Sequence, residues 1–191
     1  MTCSRLSALA LCVWSALLAP ASGEEVRAVP HVDLPRYAGQ WFEVARFPNW
    51  FQKKCAGDVA VIYSLRDDGR LTVDNRCHNA GGGTERAVGV ARLATKDGSN
   101  SKLKVRFAPS ALSFLPFVWA DYWVVDLADD YSHAIVGTPN RDYLWFLSRT
   151  PTVSPELYDR LVQAAAAQGF DTSRLQRTTN SGQVPAARES Q

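Results

Sequence analysis

The sequence predicts an all-β chain: eight antiparallel strands in up-and-down order, arranged as a barrel or sandwich, with one C-terminal α-helix packed outside. Three observations carry that expectation. Apolar residues recur with a period of two almost throughout the chain beyond residue 40. Turn signals rich in Gly, Asp and Asn separate these runs at short intervals. One late segment alone switches to helical spacing.

The first element is not part of the fold. Arg5 precedes an apolar run from Leu6 to Ala19, followed by Pro20, Ala21, Ser22 and Gly23. Residues 1–23 read as a secretory signal cleaved after Ala21 or Gly23. The run is shorter than the ~20 residues that span a bilayer, which argues against a membrane anchor. A lipid anchor at Cys12 is not expected, because Leu11 stands where a small residue would precede an acylated cysteine. The domain is then residues 24–180, with residues 181–191 a disordered tail, and the product is exported. Its two remaining cysteines, Cys55 and Cys77, are most simply a disulfide. The alternatives are a free nucleophile or a metal pair, although no histidine lies at ligand spacing from both.

The strands follow in order. Residues 40–47 form the first. Val59, Val61, Tyr63 and Leu65 alternate with Ala60, Ile62 and Ser64, and Asp67-Asp68-Gly69 turns the chain. Leu71, Val73, Asn75 and Cys77 alternate in the third strand. The fourth, residues 87–93, carries small residues, Gly89 and Ala91, on one face. Leu103, Val105 and Phe107 alternate with Lys102, Lys104 and Arg106 in the fifth. Residues 122–127, 133–136 and 143–148 complete the set. The helix opens at Ser154 as N-cap with Pro155 at its first position, repeats Leu157, Leu161, Ala164 and Ala165, and stops at Gly169. At eight strands, a barrel interior is either filled by side chains or holds one small ligand.

The composition excludes several function classes. With 46% apolar and 21% charged residues the chain is neither disordered, collagen-like nor a polytopic membrane protein. A net charge of +2 without a basic stripe argues against a nucleic-acid partner.

Three motifs then narrow the fold. Gly39-x-Trp41 opens the first strand, Asp130-Tyr131 lies between the sixth and seventh, and Arg149 ends the eighth in Leu144-Trp145-Phe146-Leu147-Ser148-Arg149. In this order they resemble the lipocalin family over residues 32–176, closest in wording to the bacterial outer-membrane lipocalins (Blc type) and apolipoprotein D. The resemblance implies an eight-stranded up-and-down β-barrel, the lipocalin calyx. Strand direction independently places Trp41 and Arg149 at one end, where guanidinium over indole would close the floor with Gly39. These are structural residues, not catalytic ones.

Direction counting places turns 66–70, 95–101 and 128–132 at the floor and the remaining loops at the mouth. Cys55 and Cys77 fall at the mouth, at facing ends of strands two and three. Period two, with Trp41 inward, gives a cavity set of Glu43, Ala45, Asn75, Gly89, Ala91, Val105, Phe107, Trp123, Val125, Tyr143 and Trp145. Asn75, Trp123 and Trp145 match pocket positions that the resemblance implies. Glu43 is either a satisfied structural carboxylate or a group that orients ligand. At the mouth, Trp50, Phe51, Leu112, Phe114, Leu115 and Phe117 form an apolar patch from two loops expected side by side. It would serve as a lid, a homodimer interface or a transient membrane contact.

The resemblance implies a carrier of fatty acids or lysophospholipids for the cell envelope, periplasmic or secreted and associated with a bacterial outer membrane. Lys53, Lys54 and Arg141 would meet the polar head. No cofactor or metal site is expected. The alternatives are a tetrapyrrole or pigment carrier and a cysteine-dependent lipocalin enzyme. His31, His78 and His133 are scattered, and no hydrolase, zinc-protease or phosphate-loop motif occurs.

Overall fold

A computed structural model describes residues 25–95 and 97–185. The expected signal, with Cys12, lies outside the described residues. The strands are β1 (Gly39–Arg46), β2 (Cys55–Leu65), β3 (Leu71–Asn79), β4 (Thr84–Leu93), β5 (Lys102–Arg106), β6 (Ala120–Leu127), β7 (His133–Gly137) and β8 (Leu144–Ser148). Each is antiparallel to the next, and β1 pairs with both β8 and β2. The sheet is therefore a closed barrel, and the sandwich alternative falls.

Helix α2 (Pro155–Ala167) follows β8. The Ser154 hydroxyl accepts from the Leu157 amide, and Gly169 at φ +79° ends the helix while the Phe170 amide bonds back to Ala165. Tyr158, Leu161 and Ala165 pack with Phe47, Ile135, Leu144 and Phe146 on the barrel's outer face. Phe170 extends this contact over Gly137, where a Cβ would stand 2.6 Å from its ring. Outer and inner faces thus carry separate apolar cores.

Besides three short 3-10 turns, two elements lie beyond the expected set: a one-turn helix, α1 (Leu34–Tyr37), and a two-residue strand, β9 (Gln176–Arg177). Asp33 caps α1 and Pro35 takes its second position, a start signal in a segment too short to show a period. Strand β1 pairs with β2 only over Gly39–Phe42. Beyond a bulge it leaves β2, and β9 pairs with Ala45 and Arg46 instead.

The chain after β9 fills the resulting seam. The Thr178 amide donates to the Val44 carbonyl, and the Asp58 amide to that of Thr179. Thr179 passes so close to Gly57 that a Cβ there would lie 2.7 Å from its carbonyl oxygen. Ser181 donates through amide and hydroxyl to Asp58, and Arg76 reaches the carbonyl of buried Pro185. Residues 181–185 therefore continue along the barrel wall where a trailing tail was expected, and residues 186–191 lie outside the described residues.

The register corrects three cavity assignments. The β1 bulge turns Ala45 outward beneath α2 and brings Arg46 to the inner face opposite Trp145. In β6, Tyr122 stands opposite Leu103 of the inner core, so Tyr122 and Val124 point inward. Trp123 and Val125 face outward against the helix-side core, with the Lys102 ammonium 4.3 Å from the Trp123 ring centre. A strand covered on both faces is apolar on both, so alternation could not reveal which face was inner.

Candidate ligand-binding calyx and its mouth

The floor is solid. Arg149 lies over the Trp41 indole, whose N–H donates to the Tyr37 carbonyl at 2.8 Å. The Arg149 side chain donates to carbonyls of Arg36, Ala38 and Gln40 at 2.7, 3.0 and 2.7 Å. Gly39, at φ +91°, gives the chain its turn into β1 beneath this guanidinium. Above it, Val61, Leu71, Val73, Ala91, Leu103, Val105, Val124, Val136 and Leu147 are buried against one another. Ala91 and Val105 thus belong to the filled lower half.

The upper half is open. The inward-facing Asn75 of β3 and its partner Ala87 of β4 retain accessible surface, as do Tyr143 and Trp145 of β8. Tyr143 and Trp145 stack with centroids 5.8 Å apart, and Phe51 from the β1–β2 loop packs on both. On the opposite wall Phe107 covers Gly89, where a Cβ would meet its ring at 2.7 Å. The small residue at 89 therefore makes room for an aromatic, not for a void.

Three tyrosines, none of them in the expected site, meet inside the barrel. Tyr37 of α1 and Tyr63 of β2 approach the Tyr122 hydroxyl with their own at 2.8 and 2.7 Å. Burial pushes all three phenols well above the usual tyrosine range, so they are neutral. Tyr122 would have followed from a correct parity for β6. No spacing in the sequence shows that three hydroxyls from separate elements converge.

Glu43 is 3% exposed and well supplied with donors. It accepts from Arg46 Nη1 and Thr178 Oγ1, each at 2.5 Å, and from Gln52 Nε2 at 2.7 Å. Gln52 Oε1 in turn accepts from the Trp145 indole at 3.0 Å and from Asn49. The carboxylate joins β1, the C-terminal segment and the mouth loop to the aromatic wall, which is how a buried charge is accommodated. A cleft of about 440 Å³ opens beside this group, lined by Arg46, Trp50, Gln52, Lys53, Cys55 and Gln176.

Cys55 and Cys77 are joined in a disulfide at the mouth ends of β2 and β3, with Cα atoms 5.4 Å apart. Of the expected head-group cations, Lys53 lines the cleft and Lys54 pairs with Glu85 at 3.8 Å. Arg141 bonds the Gln168 carbonyl at the end of α2 instead. The three histidines stand apart, and no metal-binding group of His, Cys, Asp or Glu occurs among the described residues.

The rim is apolar. Trp50, Phe114 and Phe117 are 72%, 77% and 79% exposed, with Phe51 and Leu112 also exposed and Leu115 half-buried. The two loops do not lie side by side. Strands β1–β2 and β5–β6 are half a circuit apart in an eight-stranded barrel, so the loops flank the entrance from opposite sides. Trp119 anchors the second loop: its indole donates to the Ser113 carbonyl, and its ring carries Arg92 and Arg106 at 4.1 and 5.3 Å.

A closed floor, an apolar upper cup and a single open rim define a calyx protein, a barrel built around an internal binding space. The lipocalin-like domain family matches residues 32–180, and the chain belongs to the lipocalin family. It is 39% identical over 165 residues to temperature-induced lipocalin-1 of Arabidopsis thaliana, covering 85% of this chain and 87% of that one. Outer membrane lipoprotein Blc of Escherichia coli K12 is 38% identical over 156 residues, 82% of this chain and 84% of Blc. Among solved structures, insecticyanin of the tobacco hornworm Manduca sexta superposes with a TM-score of 0.64 at 19% identity, covering 89% of this chain and 92% of that one.

Proposed function

We propose that the protein carries a single-chain lipid, a fatty acid or lysophospholipid, with its acyl chain in the upper calyx and its head at the mouth. One observation carries this reading: the inner face is buried and apolar at the floor but accessible and uncharged at Asn75, Ala87, Phe107, Tyr143 and Trp145. Each buried methylene contributes ~0.8 kcal/mol, so an apolar cup suffices for useful affinity. Lys53 beside the cleft supplies positive charge for the head. The saturated Glu43 acts as a brace and not as a ligand contact. The signal pattern and the disulfide support export to a cell envelope or medium, as does the likeness to an outer membrane lipoprotein.

Native mass spectrometry of the purified protein, followed by lipid extraction, tests this. An adduct released as a fatty acid or lysophospholipid is expected. A protein that stays empty when offered both, or releases a pigment, would overturn the reading.

Two aromatic loops flanking the entrance further support transient contact with a lipid surface, since rings at headgroup depth beside Lys53 suit an anionic interface. Trp50→Ser combined with Phe114→Ser is expected to weaken binding to anionic vesicles while leaving affinity for dispersed fatty acid within a fewfold. Unchanged vesicle binding with a shift from dimer to monomer would make the rim a homodimer interface instead.

A further inference from the structure

The hydrogen bonds around Glu43 can run in one direction only. A carboxylate accepts and an indole N–H donates, with no reversal open to either. Gln52 stands between the two, so it must turn its NH2 to Glu43, at 2.7 Å, and its oxygen to Trp145, at 3.0 Å. At the far end is Thr178, whose hydroxyl donates to the other Glu43 oxygen at 2.5 Å. The C-terminal segment grips the backbone here as well. Asn180 Nδ2 donates to the Glu43 carbonyl at 2.7 Å, and the Thr178 amide to that of Val44.

We propose that Thr178 is a ligand-positioning residue of the calyx, acting through Glu43 and Gln52 on the Trp145 indole. This role rests on the carrier reading and deepens it: the affinity of the cup is set in part by a segment that does not line it. With its N–H bonded to Gln52, Trp145 turns carbon surface to the ligand. Its ring lies within 10° of parallel to Tyr143, and Phe51, the residue before Gln52, packs on both. The same amide therefore fixes the wall and the loop residue that completes it. Without the Thr178 hydroxyl, the carboxylate keeps Arg46, on its own strand, but is no longer held from the seam. Gln52 then loses its fixed anchor. An indole released from Gln52 would bring its N–H, and the water that pairs with it, into the acyl site, and that water must be stripped when a chain enters.

Two readouts test the relay in the delipidated protein. One is displacement of a fluorescent fatty acid by hexadecanoic acid. The other is the Trp145 indole N–H resonance, assigned by its absence from Trp145→Phe. Thr178→Val, which removes the hydroxyl at nearly constant shape, is expected to weaken hexadecanoic acid binding about fivefold and to shift that resonance. Thr178→Ser, which restores the donor, should return both to wild type. Gln52→Leu should weaken binding as far by itself, and adding Thr178→Val to it should weaken binding no further. A Thr178 that only ties down the C-terminal segment would lower the unfolding midpoint and leave affinity and resonance unmoved, which overturns the proposal. Additive losses in the double variant overturn it as well. If Thr178→Val does not fold, Gln52→Leu decides, and wild-type affinity there is the overturning result. If wild type binds neither the probe nor the acid, the carrier reading fails and this role falls with it.

Discussion

The guanidinium of Arg149 stands 3.9 Å from the centre of the Trp41 ring, and its nitrogens all donate to main-chain carbonyls. It therefore binds the end of α1, the start of β1 and the loop before β7 into one floor. Arg149→Ala is expected to destabilise the fold by about 3 kcal/mol, through lost charged hydrogen bonds and the cation–π contact. Denaturant midpoints measure the loss. Binding of a fluorescent fatty acid by the folded variant should stay near wild type, because the floor lies below the open cup.

The division between filled and open halves can be probed at two alanines on one strand. Ala87→Trp projects into the accessible upper cup, opposite Asn75. It should lower fatty-acid affinity about tenfold with stability within about 0.5 kcal/mol of wild type. Ala91→Trp, beside Leu71 and Val105 in the packed half, should cost about 1–3 kcal/mol by overpacking. Unchanged affinity in Ala87→Trp would place the ligand outside the cup.

Acid should release the C-terminal segment. Partial burial pushes the Asp58 carboxyl up, but the Ser181 amide and hydroxyl and the His78 ring outweigh it and hold it below the usual carboxylate range. A group whose folded value is depressed stabilises above its unfolded value, about 3.9, and loses that contribution as pH falls through the folded one. Hydrogen exchange at the Ser181 amide should therefore accelerate as pH is lowered below about 4, beyond the intrinsic pH dependence of exchange. Asp58→Asn should remove that extra acid dependence. Its persistence in this variant would assign the latch to another group.

Much of the fold was legible because half-exposed strands such as β5 leave a period of two, and because Ser154, Pro155 and Gly169 mark α2 at both ends. The meeting of Trp41 with Arg149 followed from strand direction alone, and the Cys55–Cys77 disulfide from cysteine count and strand ends. What could not be read depends on register. One extra residue in β1 exchanges Ala45 for Arg46 on the inner face. In β6, packing against the outer core makes Trp123 as apolar as Tyr122, so sequence alone does not say which of the two enters the barrel. The donors to Glu43 come from residues 46, 52 and 178, a convergence that no local pattern encodes.

The seam between β1 and β2 also bears on how the molecule is made. Until Gln176 to Thr179 are in place, the mouth halves of two strands present bare peptide edges, a ready template for pairing with another chain. Those edges are sealed by residues that follow α2 and all eight barrel strands in the chain. A nascent chain therefore remains adhesive until this segment has been made and docked, and a protein shortened before Thr178 would be prone to aggregate even with all eight barrel strands intact.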